Sequence, residues 1–207
     1  MTELISQRGS AECRVCGSPH LESVLDLGRQ PLPAEYGRTP DEVLDKFPLH
    51  LHICSDCGLG QLGEYVLPDR IFHNAYPYLS SASSTWVSHA RNYAHAMQKN
   101  LDLGVNTLVI ELASNDGYLL SAFQSLGVPV LGVEPAENAA SIARAAGIPT
   151  LTKFFGVQAA TDILASHGRP RLIAANNVFA HIPDMHDFMQ GMAMLARHHR
   201  SLLEAPV

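Results

Sequence analysis

Apolar and polar positions change period twice along this 207-residue chain. In the first third, Leu21-Glu22-Ser23-Val24-Leu25-Asp26-Leu27 and Phe47-Pro48-Leu49-His50-Leu51-His52-Ile53 alternate with period two, which predicts half-buried strands. Gln30 to Pro40 holds Pro31, Pro33 and Pro40 and reads as loop. An aromatic, serine-rich link follows over 71–84. Then Trp86, Ala90, Tyr93, Ala94, Met97 and Leu101 recur at helical spacing, with Ser83 or Ser84 placed to cap the helix. From Asn106 onward strand and helix alternate. Strands are predicted at 107–111, 129–133, 149–152 and 171–175, and helices at 116–126, 137–146, 157–166 and 184–197. Such alternation predicts a parallel sheet with right-handed crossovers. The fourth of those strands is expected to leave a hydrophobic edge unpaired or barely paired.

The expected organisation is therefore α/β. Residues 1–70 form a β-rich module, 71–104 an aromatic linker and helix, and 105–207 a partial Rossmann-like sheet.

Composition narrows the partners. Apolar residues make up 46% and charged residues 16%, with a formal net charge of -6. A phosphate-backbone binder needs a basic face, so no nucleic-acid partner is expected. No run approaches a membrane span and the N-terminus lacks a secretion-signal core, so the expectation is a cytoplasmic protein with no membrane partner.

The four cysteines form two pairs, Cys13-Arg14-Val15-Cys16-Gly17 and Cys54-Ser55-Asp56-Cys57-Gly58. Two residues between ligands let both sulfurs of a pair reach one tetrahedral ion, and a glycine after each pair can take φ > 0. Two such knuckles, expected on separate hairpins, make a four-thiolate structural zinc site. Reduced core cysteines or a redox pair are the alternatives; the latter usually sits at a helix start in a thioredoxin-like unit.

The stretch Leu108-Val109-Ile110-Glu111-Leu112-Ala113-Ser114-Asn115-Asp116-Gly117-Tyr118 reads as a buried strand, a tight polar loop and a helix start. Glu134 closes the next apolar run, where an open α/β sheet places the acid that takes ribose hydroxyls. A dinucleotide loop needs several glycines so that a pyrophosphate can approach the main chain. Here the glycine positions carry Ala113, Asn115 and Gly117. Glu111, at the strand end, can accept from an ammonium group. S-adenosylmethionine (SAM), with an amino-acid end, a ribose and no phosphate, fits. Pro135 shapes the turn after Glu134. Phe154 or Phe155 is placed to pack on adenine, and Asn176 and Asn177 end the fourth strand facing the cofactor.

Five stretches in order resemble the bacterial deoxysugar C-methyltransferases. They are the two CxxC pairs, Tyr76 to Trp86, Glu111 to Leu120, Gly132 to Asn138, and Asn176 to Asp184. The resemblance implies a zinc-bearing N-terminal domain, a class I methyltransferase domain, and methyl transfer to a carbon beside the ketone of a dTDP-linked keto-sugar. It assigns Tyr76 and His181 to catalysis and Tyr78 and Ser84 to substrate binding. It also implies a C-terminal half carrying the proton-abstracting histidine, so this chain is expected to be truncated and weakly active or inactive. Asp184 and Asp187 read as helix-capping acids, a simpler account than a metal cluster with His181 and His186. The rival readings are a non-catalytic zinc-stabilised binding module with partial SAM affinity, an NAD-linked sugar oxidoreductase, and a zinc ribbon for nucleic acid.

Overall fold

The computed structural model describes residues 12–33, 35–73 and 76–196, together with the backbone of Ile5–Ser6 and Leu202–Glu204. The chain divides into two compact units, Met1–His73 with Pro183–Met185, and Asn74–Ile182 with His186–Val207.

In the first unit, strands β1 (Ile5–Ser6), β2 (Leu21–Pro31), β3 (Lys46–Cys54), β4 (Gly60–Leu62) and β5 (Tyr65–Val66) precede a short helix α1 (Pro68–Ile71). Strands β2, β3 and β4 make one antiparallel sheet in that order, and β1 pairs with β5. The expected strands are present, but β2 runs on to Pro31, through Gln30 and Pro31 of the predicted loop. The expected half-burial of β2 fails: Val24, Leu25 and Leu27 are each about half exposed. Register shifts between Ser23 and Leu25 and between Asp26 and Arg29 break the period-two pattern that alternation assumes. Among the described residues the apolar cluster here is Leu32, Phe47 and Val66, with Ile71 against it, besides the buried Cys13 and Cys54. That is too little apolar burial to hold a module of this size.

The second unit opens with α2 (Ser84–Leu101). The Ser83 side chain accepts from the Trp86 backbone N–H at 3.2 Å, the N-cap that the sequence suggested. Next come β6 (Val109–Leu112), α3 (Tyr118–Ser125), β7 (Val130–Val133), α4 (Glu137–Ala145), β8 (Thr150–Leu151), α5 (Val157–Ser166), β9 (Leu172–Ala174), α6 (Met185–Ala196) and β10 (Leu202–Glu204). The order across the sheet is β10-β9-β6-β7-β8, and every pairing is parallel. The fourth strand, expected to be unpaired or barely paired, is paired over three residues by β10, from Leu202 opposite Leu172 to Glu204 opposite Ala174. Residues 197–201 and 205–207 lie outside the described residues.

Alternation along β6 decides what faces the site. Val109 joins the buried cluster with Ala90, Ala94, Leu119 and Phe123 of α2 and α3. Ile110 and Leu112 point the other way, into the cluster with Ile163, Phe188 and Leu195. Glu111 therefore lies on the α2–α3 face, with a carboxylate where the pattern calls for an apolar group. Burying each large aliphatic chain here stabilises the fold by roughly 1.5–3 kcal/mol; Glu111 works against that. Among the described residues no helix is long and apolar enough to cross a membrane.

Candidate functional site

The chain order of the sheet reverses between β6 and β9, so a crevice opens beyond their carboxyl ends. The loop 113–117 lies there. It turns sharply, with Ala113 at φ 54°, Asn115 at φ 50° and Gly117 at φ 79°. Only Gly117 takes this region freely; Ala113 and Asn115 hold it at a cost of about 1 kcal/mol each. A Cβ on Gly117 would also sit 3.2 Å from Ala143 Cβ and Ile148 Cγ1, so side-chain space and φ both demand glycine.

Three acids converge on this loop: Glu111 (1% exposed), Glu134 (3%) and Asp116 (5%). Among the described residues no lysine or arginine is buried with them. Glu134 is held by the main chain. Its Oε2 accepts from the Asn115 N–H at 2.8 Å and its Oε1 from the Ala136 N–H at 2.7 Å. Each oxygen keeps a further lone pair, the capacity a ribose diol needs. Burial raises the Glu134 carboxyl against those two donors, which lower it, and the Asp116 charge raises it further. Burial likewise pushes Glu111 well above the carboxylate range, helped by Glu134 and Asp116 and opposed by the Tyr118 hydroxyl. Glu111 Oε2, Asp116 Oδ1, Asn138 Oδ1, Asn176 Oδ1 and the Ser114 hydroxyl are buried without a hydrogen-bond partner. The first four are acceptors only. Buried acceptors in native proteins are paired, so this cluster is shaped for a ligand rich in donors and carrying positive charge. The ammonium and ribose hydroxyls of SAM match that set.

Aromatic side chains wall the crevice. Trp86 and Tyr118 stack with ring centroids 6.1 Å apart, and His89 lies against Trp86 at 5.2 Å. Burial and the nearby Glu111 push the Tyr118 phenol up to about 12, against lowering contacts from Asn176 and Trp86. Tyr76 is half-buried; burial, Glu134 and then Tyr78 raise its phenol.

The structure thus gathers Glu111, Ala113, Asn115, Gly117, Glu134, Tyr76, Tyr78 and Asn176 about one loop. Pro135 is half-buried in the turn between Glu134 and Ala136. Phe155 is engaged edge-on with Phe188, centroids 5.2 Å apart, and Phe154 is 43% exposed. Asn177 is exposed at φ 54°. Ser84 is exposed on the first turn of α2, where its carbonyl accepts from Ser88 Oγ. His181 is exposed on a 3-10 turn, Phe179–His181, beyond β9. Asp187 acts on a neighbouring helix as well as on its own first turn: its Oδ1 accepts from Val157 N at the start of α5. Sequence reasoning overlooked Asp116, Trp86, Tyr118 and Asn138. All four lie within the stretches that carry the family resemblance, and Asp116 had a further signal as a second acid in an already acidic loop.

In the first unit the Sγ atoms of Cys13, Cys16, Cys54 and Cys57 all lie within 4.8 Å of one another. Cys13 Sγ is 3.5 Å from Cys57 Sγ, and Cys16 Sγ is 3.6 Å from Cys54 Sγ. A tetrahedron with Zn–S bonds of ~2.3 Å has edges of roughly 3.8 Å, so the four sulfurs fit. Both knuckles close alike: Gly17 N donates to Cys13 O and Gly58 N to Cys54 O, each at 2.8 Å. Gly17 and Gly58 take φ 71° and 76°. The second knuckle joins β3 to β4, whereas the first leads into β2 instead of closing a hairpin of its own. Burial works against the Cys13 thiolate, yet the N–H groups of Cys16 and Val15 and the neighbouring thiols bring it down to about 6. Four thiolates leave a zinc ion no open position, so this is a structural centre.

Fold and site together define a class: a parallel α/β sheet with a buried acidic loop at its switch point, preceded in the chain by a four-cysteine module. Comparison with known proteins agrees. Residues 13–72 match the family described as "Putative zinc binding domain", and residues 86–203 match "Methyltransferase domain". The chain is 33% identical over 186 residues to C-methyltransferase NovU from Streptomyces niveus, covering 89% of this chain and 44% of that protein. It thus spans less than half the length of this relative. Partial likenesses to solved structures include magnesium protoporphyrin IX methyltransferase (ChlM) from Synechocystis PCC 6803 with bound SAM, at 19% identity, TM-score 0.36, over 54% of this chain and 50% of that one. Another is a SAM-dependent methyltransferase from Anabaena variabilis, at 22% identity, TM-score 0.40, over 51% and 46%. The chain belongs to the SAM-dependent methyltransferase family whose members carry a zinc-binding domain ahead of the methyltransferase domain.

Proposed function

We propose that this protein is a C-methyltransferase that binds SAM at loop 113–117 and methylates a carbon beside the ketone of a nucleotide-linked, dTDP-type keto-deoxysugar in the cytoplasm. The observation that carries the cofactor half is the trio of buried acids, two of them (Glu111 and Asp116) with an unpartnered oxygen, and no basic side chain among them. The sugar half is supported by the resemblance of the five motifs to deoxysugar C-methyltransferases and by the similarity to a named C-methyltransferase.

When bound, SAM supplies an electrophilic methyl group. Glu111 and Asp116 hold the cationic amino-acid end, and Glu134 accepts from the ribose hydroxyls. Ala113 and Gly117 shape the turn, and Asn176 faces the same crevice. Trp86 and Tyr118 exclude water from the charged end, which strengthens each electrostatic contact. A carbon beside a ketone gives up its proton only if the enolate oxygen is stabilised. Tyr76, whose raised phenol stays protonated near neutral pH, donates to that oxygen, with Tyr78, Ser84 and His181 lining the sugar side. Cys13, Cys16, Cys54 and Cys57 hold zinc and replace the missing core of the first unit.

The test is formation of S-adenosylhomocysteine (SAH) with and without a dTDP-4-keto-6-deoxyhexose. Expected is SAH that appears only with the keto-sugar, matched by a methylated product in the mass spectrum. SAM bound with no keto-sugar-dependent SAH would overturn C-methyl transfer for this chain. It would favour the second reading, a zinc-stabilised binding module.

A further inference from the structure

Three side chains of the cofactor loop and of α4 reach back to the aromatic segment 76–81. The Asn115 amide bonds it twice. Its Nδ2 donates to Tyr78 O at 3.0 Å, and its Oδ1 accepts from Ser80 N at 2.8 Å. Asp116 Oδ2 accepts from Ser81 N at 3.0 Å. Asn138, in the first turn of α4, donates from Nδ2 to Tyr76 O at 2.7 Å. Meanwhile the Asn115 backbone N–H donates to Glu134, so one residue joins the segment, the loop and the expected ribose acid. Ser80 is buried in this arrangement.

Glycine at position 115 would give the same left-handed turn without strain, yet could make neither amide bond. The residue present bears the conformational cost and supplies both. A free loop over a nucleoside needs no such tie.

We infer that Asn115, with Asp116 and Asn138, is a positioning residue that straps segment 76–81 to the cofactor loop, so that cofactor binding and the placement of Tyr76 and Tyr78 are one event. The inference rests on the reading of loop 113–117 as the SAM site. It also reassigns the Asn115 side chain: the amide is committed to Tyr78 and Ser80, and the cofactor meets only the backbone turn.

Hydrogen exchange of the full chain tests it, comparing the wild type with Asn115→Gly and Asn138→Ala. Asn115→Gly keeps the turn, so the fold survives. In cofactor-free wild type the Ser80 and Ser81 amides exchange slowly. In Asn115→Gly the Ser80 amide speeds up by about ten-fold or more, while β6 and α3 amides keep their rates. Saturating SAM slows exchange across 78–81 in the wild type. That response is lost in Asn115→Gly, which keeps the backbone turn and still binds SAM, and is weakened in Asn138→Ala. A purely structural contact would not carry this cofactor-dependent signal. Equal Ser80 exchange in wild type and Asn115→Gly, or a SAM response that survives in that variant, overturns the strap. Absence of SAM binding to the wild type refutes the cofactor reading instead, and the cofactor-free Ser80 comparison still decides the strap by itself.

Discussion

Replacing Glu111 by glutamine separates what that residue does for the ligand from what it does to the fold. Glu111 sits in the middle of β6 on a face otherwise built from Val109 and its apolar neighbours, 1% exposed, with Oε2 lacking a partner. An unsatisfied buried acceptor costs about 1–3 kcal/mol. Burial, Glu134 and Asp116 raise its carboxyl in the folded protein. Between the unfolded carboxyl value, about 4.3, and that raised value, the folded protein keeps a proton that the unfolded chain has released. Stability therefore falls as pH rises through this window. Glutamine has no proton to lose. The variant should show a shallower decline, retaining only the part due to Glu134, which burial also raises. Near neutral pH it should exceed the wild type by about 1.4 kcal/mol for each pH unit of that window it no longer crosses. SAM affinity should move the other way. Losing one charge-assisted hydrogen bond, worth about 1.5–3 kcal/mol, weakens binding by roughly ten- to hundred-fold. Urea unfolding from pH 5 to 8 reads the first effect through Trp86, the single tryptophan of the chain. Calorimetric titration with SAM reads the second. A variant less stable than wild type at pH 7.5, or one that binds SAM equally well, refutes the reasoning.

Four other outcomes follow from the same geometry. The chain should hold one zinc per molecule by elemental analysis, and Cys54→Ser or a strong chelator should collapse the β signal of the first unit, because Leu32, Phe47 and Val66 cannot replace the ~10–16 kcal/mol that structural zinc supplies in small domains. Ala113→Gly should stabilise the second unit by about 1 kcal/mol in the same urea assay, since the alanine holds φ 54°. Gly117→Ala should destabilise it by ~1–3 kcal/mol, through its φ of 79° and the 3.2 Å approach to Ala143 and Ile148. Ser83→Ala should cost about 1 kcal/mol by removing the cap of α2.

The parts of this molecule governed by local periodicity were legible before the structure. Val109 to Leu112 and Val130 to Val133 are short apolar runs bounded by turns, and both are strands. Trp86, Ala90, Tyr93 and Ala94 recur at helical spacing, and all lie on α2. The cysteine knuckles were equally readable, because ligand spacing is itself local. What sequence could not show was what distant elements do. The bulges of β2 depend on its pairing with β3, so the alternation of Val24 to Leu27 gave the strand but misjudged its burial. Strand β10 covers β9 through a pairing set by topology. Asn115 looked like a glycine substitute, and its bonds to Tyr78 and Ser80, 35 to 37 positions away, have no local signature.

The central claim is that a glycine-poor loop ringed by buried acids takes SAM and not a dinucleotide. Calorimetric titration of the zinc-loaded chain with SAM and, separately, with NAD+ at pH 7.5 tests it most directly, with Trp86 emission followed in parallel. The expected result is saturable one-to-one binding of SAM with a change in Trp86 emission, and no measurable heat with NAD+. Saturable binding of NAD+, or none of SAM, would contradict the account.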